Sequence, residues 1–353
     1  MRGSDYNQSG LYSYFSAEDR VPEDHPLRRI RGLGDEALKE LNRSFAKIYS
    51  KLGRRSVPPE QLLRALLLQV LYSIRSERML MEQLEYNLLF RWFVGLNLEE
   101  PVWDATVFSK NRERLLRGKI AQAFFDAVLK QARENRLLSD EHFTVDGTLL
   151  EAWASRDSYQ EKDTPPTNGT GARGAVLRRD THESKTDPDA RLYRKTRGGE
   201  FQLCHMGHVL MENRSGLPVA AQVTEARPDA EWDAALAMLG KAARKGATVG
   251  ADAGYDSTRF VSAVRQLQIT PHVAPHTKRA SCIDGRTSRH VGYAISLQKR
   301  KSVERIFGWL KTTALLRKVR HRGRALVSWM FTFALATYNL LRLGKLTAPV
   351  VET

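Results

Sequence analysis

Residues 142–152 read HFTVDGTLLEA, a run rich in β-formers that predicts a β-strand. The segments FQLCHMGHVLMEN at 201–213 and LPVAAQVTEA at 217–226 show the same pattern. Residues 213–216 between them form a hairpin-turn signal, because Asn, Ser and Gly favour tight turns. Three antiparallel strands are therefore expected in this part of the chain.

Beyond this hairpin the chain alternates between helical and strand patterns. The predicted segments are helices over 230–243, 258–267, 299–311 and 326–343, and short strands over 248–251 and 270–273. The order β-β-β-α-β-α-β-α is typical of a ribonuclease H-like fold, in which helices flank a mixed sheet. We therefore predict an α+β or α/β chain of this type, preceded by an all-α region.

The N-terminal region has helical patterns. A short helix is predicted at 35–50, and the prolines at 58 and 59 open the first of two helices joined by a turn near 73–76. Asp104 is placed to cap a further helix, and 121–135 predicts another. Together these segments predict a small bundle with helix-turn-helix character.

These patterns divide the chain into predicted domains. They are a polar arm with a short helix at 1–55, a helical DNA-binding domain at 56–140, a ribonuclease H-like catalytic domain at 141–345 and a tail at 346–353. Within the catalytic domain, residues 155–200 carry many charges and little apolar periodicity. We predict a mobile basic insertion there, which either contacts phosphates or serves as a solvated tether.

Composition and charge restrict the possible partners of the chain. The 353 residues are 42% apolar and 27% charged, as in an ordinary soluble globular protein. Lys and Arg number 56 against 40 Asp and Glu, and the net charge of +16 favours a polyanion, with nucleic acid first. Two cysteines provide no disulfide framework or paired zinc motif, and the first twenty residues lack a signal-peptide pattern. A cytoplasmic protein is expected. The apolar run at 326–343 is interrupted by polar residues, so a core helix is preferred to a membrane span.

Three acidic residues are candidates for catalysis. Asp146 lies on the first strand before a glycine, Asp252 ends the short strand VGAD, and Glu304 borders the apolar stripe of a basic helix. Three carboxylates from separate elements of such a sheet can hold two Mg²⁺ ions about 4 Å apart for phosphodiester displacement. Simpler roles remain open: an Asp-Gly turn, a helix cap, and a pair with Arg300 or Lys301.

A dense group of cations surrounds Glu304. The Lys and Arg residues between 297 and 324 are Lys299, Arg300, Lys301, Arg305, Lys311, Arg317, Lys318, Arg320, Arg322 and Arg324. Glu304 is the single acid in that stretch. Cations at this density are expected to hold the phosphate backbone of DNA.

Several other residues have simpler explanations. Cys204, His205 and His208 resemble metal ligands, but residues 205 and 208 of a strand point to opposite faces, which argues against a zinc site. Trp309 and Phe307 are expected to pack in the core rather than to stack on DNA bases. The acids Glu151, Asp229, Glu231 and Asp256 are either auxiliary acids or paired, turn and cap residues.

Five segments carry a resemblance to a known family. They are VDGTLLEAWAS at 145–155, TDPDARLYRK at 186–195, GADAGYD at 250–256, IDGRTSRHVGYAISLQKRKSVERIFGWLKTTALLRKVRHRG at 283–323 and TYNLLRL at 337–343. In this order they resemble bacterial insertion-sequence transposases of the DDE type, in the insertion-sequence-five group. The helical stretch from 59 to 116 is similar to the N-terminal domain of that group, so the resemblance covers nearly the whole chain.

The resemblance implies a catalytic and metal-binding triad of Asp146, Asp252 and Glu304. The wider insertion-sequence-four clade has a signature of Tyr, two residues, Arg, three residues, Glu, six residues and Lys; Arg300, Glu304 and Lys311 match it in register. Leu297 stands at the tyrosine position. Arg300 and Lys311 are then expected to hold transposon-end phosphates, and Lys299, Lys301, Arg305, Arg317, Lys318, Arg320 and Arg322 to make further DNA contacts.

The function implied is that of a transposase acting on double-stranded DNA. It would bind the terminal inverted repeats of its element, cleave the ends and join the 3′ hydroxyls to target DNA, using two Mg²⁺ ions for which Mn²⁺ can substitute. Pairing of two ends implies a homodimer or larger synaptic complex, and no membrane partner is expected. Two alternatives remain: a stand-alone nuclease of the same fold, and an inactive DNA-binding descendant.

Overall fold

The N-terminal half of the protein is a bundle of helices. The structure is a computed structural model that describes residues 16–49, 56–162, 181–194, 199–278 and 280–348. The first eight helices are α1 (Ala17–Arg20), α2 (Pro26–Glu40), α3 (Asn42–Ile48), α4 (Pro59–Leu71), α5 (Glu77–Tyr86), α6 (Leu88–Val94), α7 (Ala105–Arg117) and α8 (Ile120–Glu134). The proline-opened helix α4, the turn before α5, and α7 and α8 are confirmed, with the Asp104 side chain accepting a hydrogen bond from the Thr106 amide at the start of α7.

One early helix differs from the sequence-based expectation. The predicted segment 35–50 is the end of α2 followed by α3, and α2 already begins at Pro26. Proline at the first helical position needs no amide partner, and the His25 ring accepts a hydrogen bond from the Leu27 amide. Pro26 therefore opens this helix. Residues 1–15 and 50–55 of the predicted arm lie outside the described residues.

The C-terminal half is built on a mixed sheet. Its strands are β1 (His142–Glu151), β4 (Arg191–Tyr193), β5 (Gln202–Glu212), β6 (Pro218–Glu225), β7 (Thr248–Ala251) and β8 (Thr270–Val273); β2 (Tyr159–Glu161) and β3 (His182–Ser184) form a separate pair. β1 lies between β5, which is antiparallel to it, and β7, which is parallel. β8 follows β7 in parallel, while β4 and β6 share the far edge of β5. This topology confirms the predicted ribonuclease H-like fold class.

The helices of this half flank the sheet. They are α9 (Ala230–Ala242), α10 (Thr258–Gln266), α11 (Gly285–Ser288), α12 (Tyr293–Arg300), α13 (Ser302–Thr312) and α14 (Arg324–Leu346). The single helix predicted over 299–311 is two helices that meet at Lys301. Helix α12 contacts β7, β8 and β1, and α13 contacts β1 and α14.

Helix α14 joins the two halves of the molecule. It packs against β6 on one side and against α8 and α2 on the other, with the Phe333 ring stacked on Phe124 at 5.6 Å. The helix is long and apolar enough to cross a membrane by length and composition, but 72% of its most apolar window is buried within the protein. The predicted core role of residues 326–343 is therefore confirmed.

The expected basic insertion is partly ordered. Residues 155–162 and 181–194 contain β2, β3 and β4, so these parts have regular secondary structure, and the mobility of the segment stays a prediction. The sequence did not predict these strands, because three residues are too few to show an alternating apolar pattern. Residues 163–180 and 195–198 lie outside the described residues.

A buried acid anchors the ordered end of this segment. Asp187 accepts a hydrogen bond from the Gly323 amide and pairs with the His205 ring at 3.1 Å, and neither side chain of that pair is exposed. Burial alone would raise the pKa of Asp187, but these hydrogen bonds outweigh it and hold the pKa below its usual value. Asp189 accepts from the Arg324 amide at 2.8 Å. The TDPDA motif thus fixes the first turn of α14 to the sheet.

We expect Gly207→Ala to destabilise the protein. A Cβ on Gly207 of β5 would lie 2.7 Å from Cε2 of Phe331 on α14, and overpacking of this kind costs about 1–3 kcal/mol. Chemical denaturation measures the loss. Gly240→Ala on α9 is the matched control, because a Cβ there meets nothing within 4 Å and alanine favours a helix. Equal midpoints for the two variants would contradict this packing of α14.

Candidate active site

Two of the predicted acids lie at equivalent positions on neighbouring strands. β1 and β7 run parallel with Thr144 opposite Gly250, and Asp146 and Asp252 each lie two residues beyond that pair. Side chains at equivalent positions of adjacent parallel strands point to the same face, and neighbouring strands are about 4.8 Å apart. Continuing the register therefore brings the two carboxylates together at the end of β7.

Local hydrogen bonds hold both aspartates in place. Asp146 is half-buried, and its Oδ1 accepts a hydrogen bond from the Gly147 amide at 2.7 Å. Asp252 ends the extended strand and caps a 3-10 turn at 253–255, where its Oδ1 accepts from the Gly254 amide at 2.9 Å. The capping role proposed as a simpler explanation for Asp252 is thus present, and it fixes the carboxylate at the strand end.

The pKa of Tyr255 is affected by the carboxylates of this site. Its side chain is fully buried, and its hydroxyl has no hydrogen-bond partner within the described residues. Burial raises the pKa of Tyr255 well above its usual value, and the negative charges of Glu231, Asp146 and Asp252 raise it further. Three carboxylates therefore lie within electrostatic reach of one buried hydroxyl.

Glu231 is the acid whose position the sequence did not show. It lies in the first turn of α9, and its Oε1 is 2.8 Å from the point where a Cβ on Gly147 would be. A Cβ at residue 147 would displace this carboxylate, so the glycine after Asp146 leaves room for it against β1. The sequence alone could not distinguish an auxiliary acid from a helix-capping residue at Glu231. Only the packing of α9 on the sheet places Glu231 beside Asp146.

Glu304 lies on a different element from the two aspartates. It occupies the first turn of α13, where its negative charge interacts favourably with the positive end of the helix dipole, and its side chain is exposed. Helix α13 packs against β1, the strand of Asp146. Within the described ranges, no group of three or more His, Cys, Asp or Glu side chains is arranged to hold a metal ion. Asp146 and Asp252 are brought together, and the catalytic role of all three acids stays a prediction.

The predicted DNA-binding cations are distributed along α12, α13 and the connection to α14. Arg300 is half-buried with its Nε unpartnered among the described residues, and Lys311 is half-buried towards the end of α13. Lys318 pairs with Glu151 at 2.7 Å, and the Val319 amide donates to the Glu151 carbonyl, so residues 317–319 run beside the end of β1. The exposed members are Lys299, Lys301, Arg305, Arg317, Lys318 and Arg322.

The remaining candidate groups have structural partners. Asp256 accepts from the amides of His276 and Cys282, Asp229 pairs with Arg259, and Glu151 has the lysine partner described above. The His208 ring pairs with the Thr224 hydroxyl. Phe307 is buried, and Trp309 meets Tyr338 edge to face at 5.4 Å. Each of these side chains therefore has a structural role in packing, hydrogen bonding or ion pairing.

Comparison with known families identifies the chain. Residues 139–340, more than half of the protein, match the model described as a transposase DDE domain. The chain belongs to the DDE transposase family. Residues 15–114 match a second model, a transposase domain of the type DUF772, which covers most of the N-terminal helices of this transposase. The insertion-sequence-five group and the domain boundaries drawn from the sequence remain predictions.

The transposase is also similar to solved structures of transposases. A piggyBac transposase synaptic complex with hairpin DNA aligns with a TM-score of 0.40 at 10% identity, over 93% of this chain and 83% of that chain. A Mos1 transposase paired-end complex with the left transposon end gives 0.21 at 11% identity, over 83% and 82%. A Mos1 mariner paired-end complex with Mn gives 0.20 at 14%, over 82% and 80%. No curated protein matches the chain.

We expect Tyr255→Phe to leave the free energy of unfolding unchanged or to raise it by about 1 kcal/mol in buffer without divalent ions. A buried hydroxyl without a partner carries a desolvation cost that phenylalanine removes. Tyr293→Phe is the matched control and should cost about 1 kcal/mol, since the Tyr293 hydroxyl donates to the Val273 carbonyl at 2.9 Å. Chemical denaturation of both variants measures the difference, and an equal loss would mean that Tyr255 has a partner.

Proposed function

We propose that this transposase binds the terminal inverted repeats of its own element, cleaves the ends and transfers the 3′ hydroxyls into target DNA. The observation that carries the proposal is the placement of Asp146 and Asp252 at equivalent positions on adjacent parallel strands of a ribonuclease H-like sheet, in a chain of the DDE family. Two carboxylates so placed, with a third on a neighbouring element, suit phosphoryl transfer between DNA strands.

The acidic residues fit a hard divalent cation. Carboxylate oxygens are the protein ligands that Mg²⁺ prefers, and the charges of Asp146, Asp252 and Glu231 all act on the buried Tyr255 hydroxyl. DDE transposases generally use divalent metals. Asp146, Asp252 and Glu304 would hold two Mg²⁺ ions, with Mn²⁺ able to substitute. When bound, such ions lower the pKa of an attacking water and neutralise charge on the phosphoryl oxygens.

The chain itself would position the DNA. Arg300 and Lys311 flank Glu304 on α12 and α13, and the residues around Lys318 run beside the end of β1, so their cations lie next to the strand of Asp146. Guanidinium and ammonium groups so placed neutralise backbone phosphates and align the scissile bond. The N-terminal helices would recognise the ends, and a homodimer or larger complex in the bacterial cytoplasm would pair them.

We expect Asp252→Asn to abolish DNA cleavage and joining while leaving the affinity for end DNA within a few-fold. The amide keeps the size of the side chain and its capping oxygen but removes the charge that holds the cation. The substrate is the DNA that flanks the coding region, labelled at its 3′ strand and incubated with Mg²⁺ or Mn²⁺. Gel separation scores cleaved and joined products, and a binding assay without metal gives the affinity.

The control is Glu134→Gln, an exposed acid at the end of α8 outside the site. It should cleave and join as the unmodified protein does. Joining by the unmodified protein and by the control alone supports the proposal. Cleavage without joining would replace it with a nuclease, and tight binding with neither product would indicate an inactive DNA-binding descendant. Equal loss of binding in Asp252→Asn would make that residue structural.

Glu231 is expected to strengthen metal binding at this site. Glu231→Gln removes one negative charge beside Asp146 and should weaken Mn²⁺ affinity by on the order of 10-fold, as changes around metal ligands commonly do. Asp233→Asn is the matched control: it lies in the same helical turn but pairs with Arg259 at 2.7 Å. Titration calorimetry with the protein alone reads the affinity directly. Equal affinities in the two variants would remove Glu231 from the site.

A further inference from the structure

A cleft of about 410 Å³ lies where the N-terminal helices meet the connection between α13 and α14. The first turns of α5 and α7 form one wall, and Arg320 and His321 lie on the other. Two hydrogen bonds fix the walls to each other: the Ser73 hydroxyl donates to the Thr313 carbonyl at 2.8 Å, and Arg320 Nη1 donates to the Ile74 carbonyl at 3.1 Å. The cleft therefore draws side chains from both regions that match the transposase family models.

The cleft is rich in positive charge. Its lining contains four guanidinium groups, those of Arg75, Arg78, Arg112 and Arg320. Glu77 is the acidic residue in the lining, and it forms an ion pair with Arg112. Asp104 at the start of α7 interacts electrostatically with Arg78. Glu113 also acts on Arg112, so four cations face three carboxylates, and a net positive charge remains for an anion to neutralise.

Two of the guanidinium groups are held away from water. The Arg112 side chain is 11% exposed, and its Nε has no partner among the described residues. Burial lowers the pKa of Arg112 and of Arg320. Burial and these two cations lower the pKa of His321 to about 3, so this ring is neutral at physiological pH and adds no charge of its own. Partly desolvated guanidinium groups form strong, charge-assisted hydrogen bonds with an entering anion.

The backbone favours an anion at the same place. Helices α5 and α7 both begin at the cleft, so the positive ends of two helix dipoles lie on one wall. The lining hydroxyls of Thr106 and Ser109 already donate to Asp104 and Glu77, so the guanidinium groups and the helix ends are what remains for an anion. Guanidinium groups and helix N-termini are among the donors that proteins present to DNA phosphates.

We propose that this cleft binds the phosphodiester backbone of duplex DNA, which makes Arg75, Arg78 and Arg112 DNA contacts together with Arg320. This inference rests on the proposed function and adds a second DNA-binding site to the cations around Glu304. Helix α13 rises roughly 12 Å from Glu304 to its end at Thr312, at about 1.5 Å per residue, and the Thr313 carbonyl just beyond accepts the hydrogen bond from Ser73. DNA held here would be fixed by the N-terminal helices and the catalytic half at once.

The test compares two double variants of equal charge. Arg75→Gln with Arg78→Gln alters exposed cleft residues, and Arg43→Gln with Arg133→Gln alters exposed residues of α3 and α8 outside the cleft. Fluorescence anisotropy with a random-sequence duplex, without divalent metal, gives the dissociation constant over a range of salt. The slope of log affinity against log salt changes by about 0.9 for each phosphate that the protein no longer neutralises.

The cleft variant should lower the magnitude of this slope by about 1 to 2 and weaken binding by roughly 10-fold at moderate salt. The control variant should keep the slope of the unmodified protein and a dissociation constant within about 2-fold of it. An unchanged slope in the cleft variant, or an equal change in the control, would overturn the proposal. Cleavage by Asp252→Asn protein would defeat the proposed catalytic role and leave this binding result standing, so the two failures are distinguishable.

Discussion

The parallel pairing of β1 with β7 is the constraint on which the candidate active site depends. Backbone hydrogen bonds align His142 with Thr248 and Thr144 with Gly250, and this alignment sets Asp146 and Asp252 side by side. Side chains alternate between the two faces of a strand, so a slip of one residue would send one carboxylate to the opposite face. Burial of Val145 and Val249 in the core opposes such a slip. The same apolar pattern that forms the core thus fixes the geometry of the acids.

Helix α14 connects this sheet to the rest of the molecule. Its buried side chains pack on β6 and on α8, and its polar end is tied down where Arg29 donates to the Gly344 carbonyl and Arg342 to the Ser215 carbonyl, both at 2.9 Å. The apolar core is continuous from the N-terminal helices to the sheet. Since the two halves share one core, cations contributed by one half keep a fixed place relative to acids contributed by the other.

The ordered part of the insertion has a role in this arrangement. The buried pair of Asp187 and His205 joins the TDPDA motif to β5, and the hydrogen bond from the Gly323 amide joins it to the start of α14. The basic connection between α13 and α14 contains Arg320 and is therefore fixed at the end where it enters α14. Its residues 317–319 lie beside the end of β1, next to the strand that carries Asp146.

The fold class, the order of the main strands and helices around the sheet, and the strand positions of Asp146 and Asp252 follow from the amino-acid sequence, because alternation and helical spacing are local properties of the chain. The long motifs also indicated the family. Local patterns do not contain the break at Lys301, the short strands within the insertion, the position of Glu231 against Gly147, or the cleft that joins Arg112 to Arg320. Each of these depends on contacts between residues distant in sequence, and such contacts form only when the elements pack.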